Sequence, residues 1–206
     1  MGHVRILIAT AVAPERDAVL AGLRDAAGVD VVAVGVGPAA AAAGTARLLA
    51  LGGYDAVVSA GIAGGMPGQV ELGGVVVASR SVAADLGAES PDGFLPLSAL
   101  GFGTDEIVAD PFLKHPYATV GAVLSVSTVT GTAAATAELA RRHPDAVAEA
   151  MEGFGVATAA AQAGVRFAEL RTISNLVGPR DKAAWRLPEA LAALTEAVAA
   201  VSREWP

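Results

Sequence analysis

Two polar residues stand out in the stretch from Ala148 to Gly178. Glu152 follows Met151 in an alanine-rich run whose Met151, Val156 and Ala160 recur at helical spacing. Asn175 follows the β-rich run from Val165 to Ile173, just ahead of a Gly-Pro turn. A carboxylate on an apolar helix face costs free energy unless it is paired or put to use. A polar side chain at the carboxyl end of a strand is where open α/β sheets hold ligands. A carboxylate accepts hydrogen bonds, whereas an amide both donates and accepts. The same spacing also fits a solvent-facing Glu152 and an Asn175 that caps a turn.

Other chemistries are poorly supplied. There is no cysteine, which removes disulfides, thiolate nucleophiles and thiolate-bound metals. His3, His115 and His143 are far apart, none at metal-ligand spacing, so no metal site is expected. The formal net charge is −7, so nucleic-acid polymers and acidic membranes, which demand a basic face, are not expected as partners. With 53% hydrophobic and 17% charged residues, the chain can bury a large core. Ile6 to Ala9 is too short for a signal-peptide core, and Arg47 and Asp55 interrupt the longest apolar region, so a cytoplasmic protein is expected.

The elements that position these residues alternate between strand and helix. Val4 to Ala9, Val29 to Val34, Ala56 to Ala60, Val75 to about Ala83, Val120 to Val129 and Val165 to Ile173 read as strands. Helices are expected from Pro14, from Pro38 to near Leu51, over Thr132 to Arg142, through Ala148 to Ala163, and from about Ala183 to Val201. Asp85 to Gly103 reads as a loop excursion. Continuous apolar strands between helices imply a sheet covered on both faces. The expected fold is α/β, a three-layer αβα sandwich, with residues 1–206 as one domain.

Two glycine-rich segments follow strands. Gly35-x-Gly37-x-x-Ala40 opens a helix and satisfies a dinucleotide-binding fingerprint, with Asp55 about twenty residues on. A dinucleotide-binding oxidoreductase is therefore a rival reading. Against it, Asp55 precedes its strand rather than ending it, and Pro38 removes an amide donor from the turn. The second segment, Ser59-Ala60-Gly61-Ile62-Ala63-Gly64-Gly65, reads as a turn that lets backbone approach a ligand.

Four ordered motifs resemble the nucleoside phosphorylase/nucleosidase superfamily, particularly its methylthioadenosine/S-adenosylhomocysteine nucleosidase branch. They are Gly35-Val36-Gly37, Ser59 to Gly65, Met151-Glu152-Gly153 and Arg171-Thr172-Ile173-Ser174-Asn175. The resemblance implies a mixed, twisted central sheet, cleavage of an N-glycosidic bond in a small nucleoside, no metal or organic cofactor, and a homodimer. It matches Glu15 to the acid that activates water, Glu152 to the acid that binds ribose hydroxyls, and Met151 to the methionine beneath the ribose. It places Ile62 and Ala63 near sugar and base.

Asn175 departs from the aspartate of adenine-specific nucleosidases. An amide cannot act as an acid, but it suits the O6/N7 edge of hypoxanthine. The resemblance thus points to hypoxanthine-releasing hydrolases of menaquinone biosynthesis, shared also by Asp85 to Glu89 and Val177 to Trp185. Their substrate carries a carboxybenzoyl group beyond the ribose, for which Trp185, Arg180 and Phe94 are candidates by chemistry. An adenine-specific nucleosidase and a purine nucleoside phosphorylase remain alternatives. Against a phosphorylase, Gly73-Gly74 stands where related phosphorylases carry arginine, though Arg47 or Arg80 could compensate.

Overall fold

The computed structural model describes residues 4–23 and 27–204, so His3 lies outside the described residues. The chain runs β1 (Ile6–Thr10), α1 (Ala13–Leu23), β2 (Val29–Ala33), α2 (Pro38–Gly52), β3 (Ala56–Gly65) and β4 (Val75–Ala83). A hairpin of β5 (Gly87–Ser90) and β6 (Gly93–Pro96) follows, then the short β7 (Glu106–Val108). The remainder is β8 (Thr119–Ser125), α3 (Ala133–Arg142), β9 (Ala146–Ala150), α4 (Gly153–Ala163), β10 (Arg166–Leu176) and α5 (Leu187–Val201).

Strand residues alternate between two cores, as a period of two requires. Ile6, Ile8, Val58 and Leu170 pack with Val19 of α1 and Leu194 and Val198 of α5. Leu7, Ala9, Val57 and Phe167 pack with Leu49 of α2 and Val156 and Ala160 of α4. The result is a helix–sheet–helix arrangement around a mixed sheet. The α2–α4 contact is close because Gly155 has no side chain: a Cβ there would overlap the Pro38 carbonyl.

The sheet order is β10-β4-β8-β9-β3-β1-β2, with β7 on β4. β10 also pairs in parallel with β3 along its whole length. Strands β3, β9, β8, β4 and β10 therefore form a closed ring, from which β1 and β2 extend as an open wing. The two long strands make this possible, since β3 pairs with β1 over Ala56–Ser59 and with β9 at Gly64 and Gly65.

Several local expectations are corrected. Gly61 to Gly65 is no turn; it continues β3, paired with β10 throughout and with β9 at Gly64 and Gly65. Ala146–Ala150 is a fully buried strand rather than helix, because ladders to β8 and β3 override the high helix propensity of alanine. Helix α4 starts only at Gly153, with Glu152 as its N-cap, and stops at the left-handed Gly164 as expected. Asn175 lies within β10, at a register shift, rather than beyond the strand. The excursion after Asp85 contains the β5–β6 hairpin. The last helix begins at Leu187, with Pro188 in its first turn, after a separate 3-10 turn at Lys182–Ala184.

Candidate active site

Glu15 sits in the first turn of α1, where the helix dipole favours an acid, and is only 4% exposed. Its Oε2 accepts from the backbone N–H groups of Ala11 (2.9 Å) and Val12 (3.3 Å). Its Oε1 accepts from the N–H of Ile62 (2.9 Å), which fixes the carboxylate over β3. Gly61 leaves the necessary space: a Cβ there would lie 2.5 Å from Glu15 Oε1 and 2.8 Å from Arg171 Nη1.

Arg171 of β10 is the buried cation of this region. Its Nε donates to Glu169 Oε1 at 2.9 Å, and its Nη2 donates to Ser59 Oγ at 2.8 Å. Nη1 lies 3.8 Å from Glu152 Oε2. Burial opposes charge on this guanidinium, but Glu169, Glu152 and Glu15 outweigh it and hold the arginine protonated. Glu169 is fully buried. Burial pushes its carboxyl upward, while Arg171 and the Ser81 hydroxyl oppose the shift.

Glu152 caps α4 between the sheet and α2. Its Oε1 accepts from the N–H of Gly37 (3.1 Å), and its Oε2 from the N–H of Met151 (3.3 Å). The amide of Gly37 is thus occupied by a buried carboxylate. A dinucleotide pyrophosphate would need that donor and would meet the glutamate's charge, so the oxidoreductase reading fails here.

A second group of residues surrounds Gly64. In the β ladders Gly64 is paired with Asn175 on one side and with Glu149 on the other. Asn175 Oδ1 accepts from the Ser174 hydroxyl (2.8 Å), and Nδ2 donates to the Leu176 carbonyl (3.1 Å). Glu149 is 6% exposed and accepts from the N–H (2.9 Å) and hydroxyl (2.5 Å) of Thr130. Burial pushes its carboxyl upward, and the Thr130 donors pull the other way. The segment 177–185 folds over this group because Arg186 N–H bonds Ser174 O (2.7 Å) and Arg180 N–H bonds Gly131 O (3.2 Å). The cavity beneath it is lined by Gly64, Thr130, Glu149, Asn175, Arg180 and Trp185.

The expected residues therefore fall in two linked clusters on β3. Ile62 serves Glu15; the buried Ala63 accepts from the Ser174 hydroxyl; Met151 is half-buried beside Glu152. Arg180 lies over the Trp185 ring, 5.5 Å from its centroid, next to Asn175. Phe94 is not brought here. It lies in β6 beneath the Arg142 guanidinium, 4.5 Å away, because the hairpin packs toward the end of α3. Arg47 is exposed, and Arg80 is engaged by Asp145 and Glu106, so neither forms an anion pocket with these residues. Among the described residues no three His, Asp or Glu form a metal-binding group, and no helix is long and apolar enough to cross a membrane.

Sequence reading gave no role to Glu149, Glu169 or Arg171. A usable signal existed for the last two: an acid and a base two residues apart in a buried strand must share a face.

The fold and this pair of clusters define a class. A family model described as the phosphorylase superfamily matches residues 22–204, and the chain belongs to that superfamily. Within it, the chain belongs to the futalosine hydrolase family. It is 52% identical to futalosine hydrolase of Streptomyces coelicolor, over 95% of this chain and 94% of that one. It is 49% identical to that of Acidothermus cellulolyticus, over 98% and 92%. A solved futalosine hydrolase from Helicobacter pylori superposes with a TM-score of 0.83 at 18% identity, covering 98% of both chains. The methylthioadenosine/S-adenosylhomocysteine nucleosidase of Neisseria meningitidis superposes with 0.82 at 18%, covering 97% and 98%. At such identities these structures bear on the fold alone.

Proposed function

We propose that this chain hydrolyses the N-glycosidic bond of futalosine, releasing hypoxanthine and dehypoxanthinyl futalosine in menaquinone biosynthesis. The substrate is taken from the names of the relatives. The observation that favours water over phosphate as the attacking group is the charge around Arg171. Three carboxylates, those of Glu15, Glu152 and Glu169, surround one guanidinium. A phosphate dianion entering there would be repelled; a neutral water is not.

In this reading Glu15 is the general base, holding a water against C1′ of the ribose. Its existing hydrogen bonds come from three backbone donors, which fix its direction and leave lone pairs for the water. Glu152 takes the ribose 2′ and 3′ hydroxyls in charge-assisted hydrogen bonds. The two acids also favour the positive charge that develops in an oxocarbenium-like transition state. Met151 supports the ribose, and Ile62 and Ala63 line the path between sugar and base. Asn175 donates to the departing base as negative charge moves onto it. Arg180 and Trp185 take the aromatic acid of the substrate, the former by charge and the latter by stacking; Phe94 has no part in it. The reading carries with it a cytoplasmic homodimer acting on a small nucleoside with residues 1–206 as one domain.

The test is chromatographic detection of released base in phosphate-free buffer, with futalosine, inosine, methylthioadenosine and S-adenosylhomocysteine side by side. Hypoxanthine from futalosine is the expected result, with Glu15→Gln slower by about 10²–10⁴-fold. Adenine release alone, or turnover only after phosphate is added, overturns it.

A further inference from the structure

The mechanism above leaves one buried acid in the base cavity without a task. Glu149 is 6% exposed and lies on β9, not on an outer face where water would solvate it. Among the described residues only Thr130 satisfies it by hydrogen bonding, through two donors on one residue. A carboxylate has about four lone-pair sites, so acceptor capacity remains. Retaining an acid in a buried strand costs free energy that an apolar residue would not.

Its position relative to Asn175 gives it a use. The register places Glu149, Gly64 and Asn175 in one row across β9, β3 and β10. Residues paired in a ladder point to the same face, and adjacent strands lie about 4.8 Å apart. The acid and the amide therefore flank a position that carries no side chain. A Cβ at Gly64 would lie 3.2 Å from Asn175 Nδ2 and 2.9 Å from Val177 Cγ2, so the gap depends on glycine. Both residues also line the same cavity. Along β3, Gly64 is two residues from Ile62, the contact of Glu15, or about 7 Å at strand rise. That is the scale on which the pairing edge of a purine lies from the anomeric carbon.

A 6-oxopurine presents two features side by side on that edge: acceptors at O6 and N7, and a donor at N1–H. A 6-aminopurine reverses the second, since its N1 is an acceptor. We propose that Glu149 selects the 6-oxopurine leaving group, its carboxylate accepting N1–H while Asn175 donates to the O6/N7 side. Adenine in the same pose would set its N1 lone pair against a carboxylate, leaving two buried acceptors opposed. A site built to hydrogen-bond a substrate group rejects analogues lacking it far more strongly than a site that merely fits by shape. Thr130 holds the carboxylate in place from the loop after β8.

This inference rests on the proposed hydrolysis of futalosine and deepens it. The experiment compares kcat/KM for futalosine, its 6-amino analogue and its 1-deaza analogue, in which C–H replaces N1–H. Wild-type protein and Glu149→Gln are measured together. Wild type is expected to prefer futalosine to each analogue by about a hundredfold or more. Glu149→Gln should shrink the preference over the 6-amino analogue at least tenfold, because glutamine can donate to an N1 acceptor, while a preference over the 1-deaza analogue persists because its amide oxygen still accepts N1–H. A merely structural glutamate would lower all three rates together and leave the ratios unchanged, which overturns the inference. If Glu149→Gln does not fold, wild type alone decides: equal kcat/KM for futalosine and its 1-deaza analogue overturns it. Failure of the parent reading looks different, since wild type would then release no hypoxanthine from futalosine.

Discussion

Arg171 and Glu152 face each other at 3.8 Å, close enough for ion pairing but beyond hydrogen-bond length. The guanidinium gives its short bonds to Glu169 and Ser59 instead. Glu152 is held by the backbone of Gly37 and Met151, with Arg171 supplying charge rather than direction. The arginine therefore balances the acids while leaving one Glu152 oxygen weakly engaged and available to ribose.

Removing that cation should cost stability as well as activity. Arg171→Met leaves Glu169, Glu152 and Glu15 facing one another in a buried region. Breaking a buried ion pair from one side typically costs about 3–5 kcal/mol. Denaturant titration should register a loss of that order, with Arg171→Lys intermediate because an ammonium cannot reproduce the fork to Glu169 and Ser59. A midpoint unchanged from wild type would refute the balancing role.

Gly61→Ala tests the placement of Glu15 without altering any charge. The new Cβ would meet Glu15 Oε1 at 2.5 Å and Arg171 Nη1 at 2.8 Å, so the carboxylate must shift. Misplacement of a reacting group by about 1 Å can cost about a hundredfold in rate. Hypoxanthine release should fall by about ten- to a hundredfold in kcat. A variant with wild-type kcat would mean that Glu15 is not positioned by this contact.

Much of the fold was legible in the sequence because buried strands and amphipathic helices leave strong periodic signals. The continuous apolar run Ile6 to Ala9 already implied a sheet covered on both faces, and the structure sorts its residues into two cores by parity. What misled was local chemistry overridden by neighbours. Glycines at 61, 64 and 65 look like a turn, yet they lie in a strand because Arg171, Asn175 and Ile173 crowd the positions their side chains would occupy. Alanines at 146, 148 and 150 look helical, yet they fill a narrow place between β8 and β3. The clusters at Glu15–Arg171–Glu152 and Glu149–Gly64–Asn175 join residues distant in sequence, and only register brings them together. Phe94 matched by residue type alone, and type does not fix position.

Asn175→Asp should move base preference toward adenine. Oδ1 of Asn175 already accepts from Ser174, while Nδ2 points at the Leu176 carbonyl. An ionised aspartate would set its second oxygen against that carbonyl, which favours the protonated acid. A protonated carboxyl can give a proton to N7 of adenine, as an amide cannot. Release of hypoxanthine from futalosine should fall at least tenfold and release of adenine from the 6-amino analogue should rise. Equal losses on both substrates would count against Asn175 as a reader of the base.

Glu149 titrates above the ordinary carboxylate range in the folded chain, where burial raises it, Thr130 lowers it, and nearby Asp85 raises it further. Among the described residues lining the cavity, Arg180 on its rim is the cation. Between the ordinary value and the raised one the native state holds more protons than the unfolded state. The protonated acid thus favours folding at low pH, and that contribution is lost as pH rises through the raised value. Base selection runs the opposite way. Protonated Glu149 cannot accept N1–H of hypoxanthine but can donate to N1 of adenine. The ratio of kcat/KM for futalosine over its 6-amino analogue should therefore decline as pH falls through the raised value. In Glu149→Gln the ratio should be flat across the same range, and a decline that survives the substitution would assign the titration to another group.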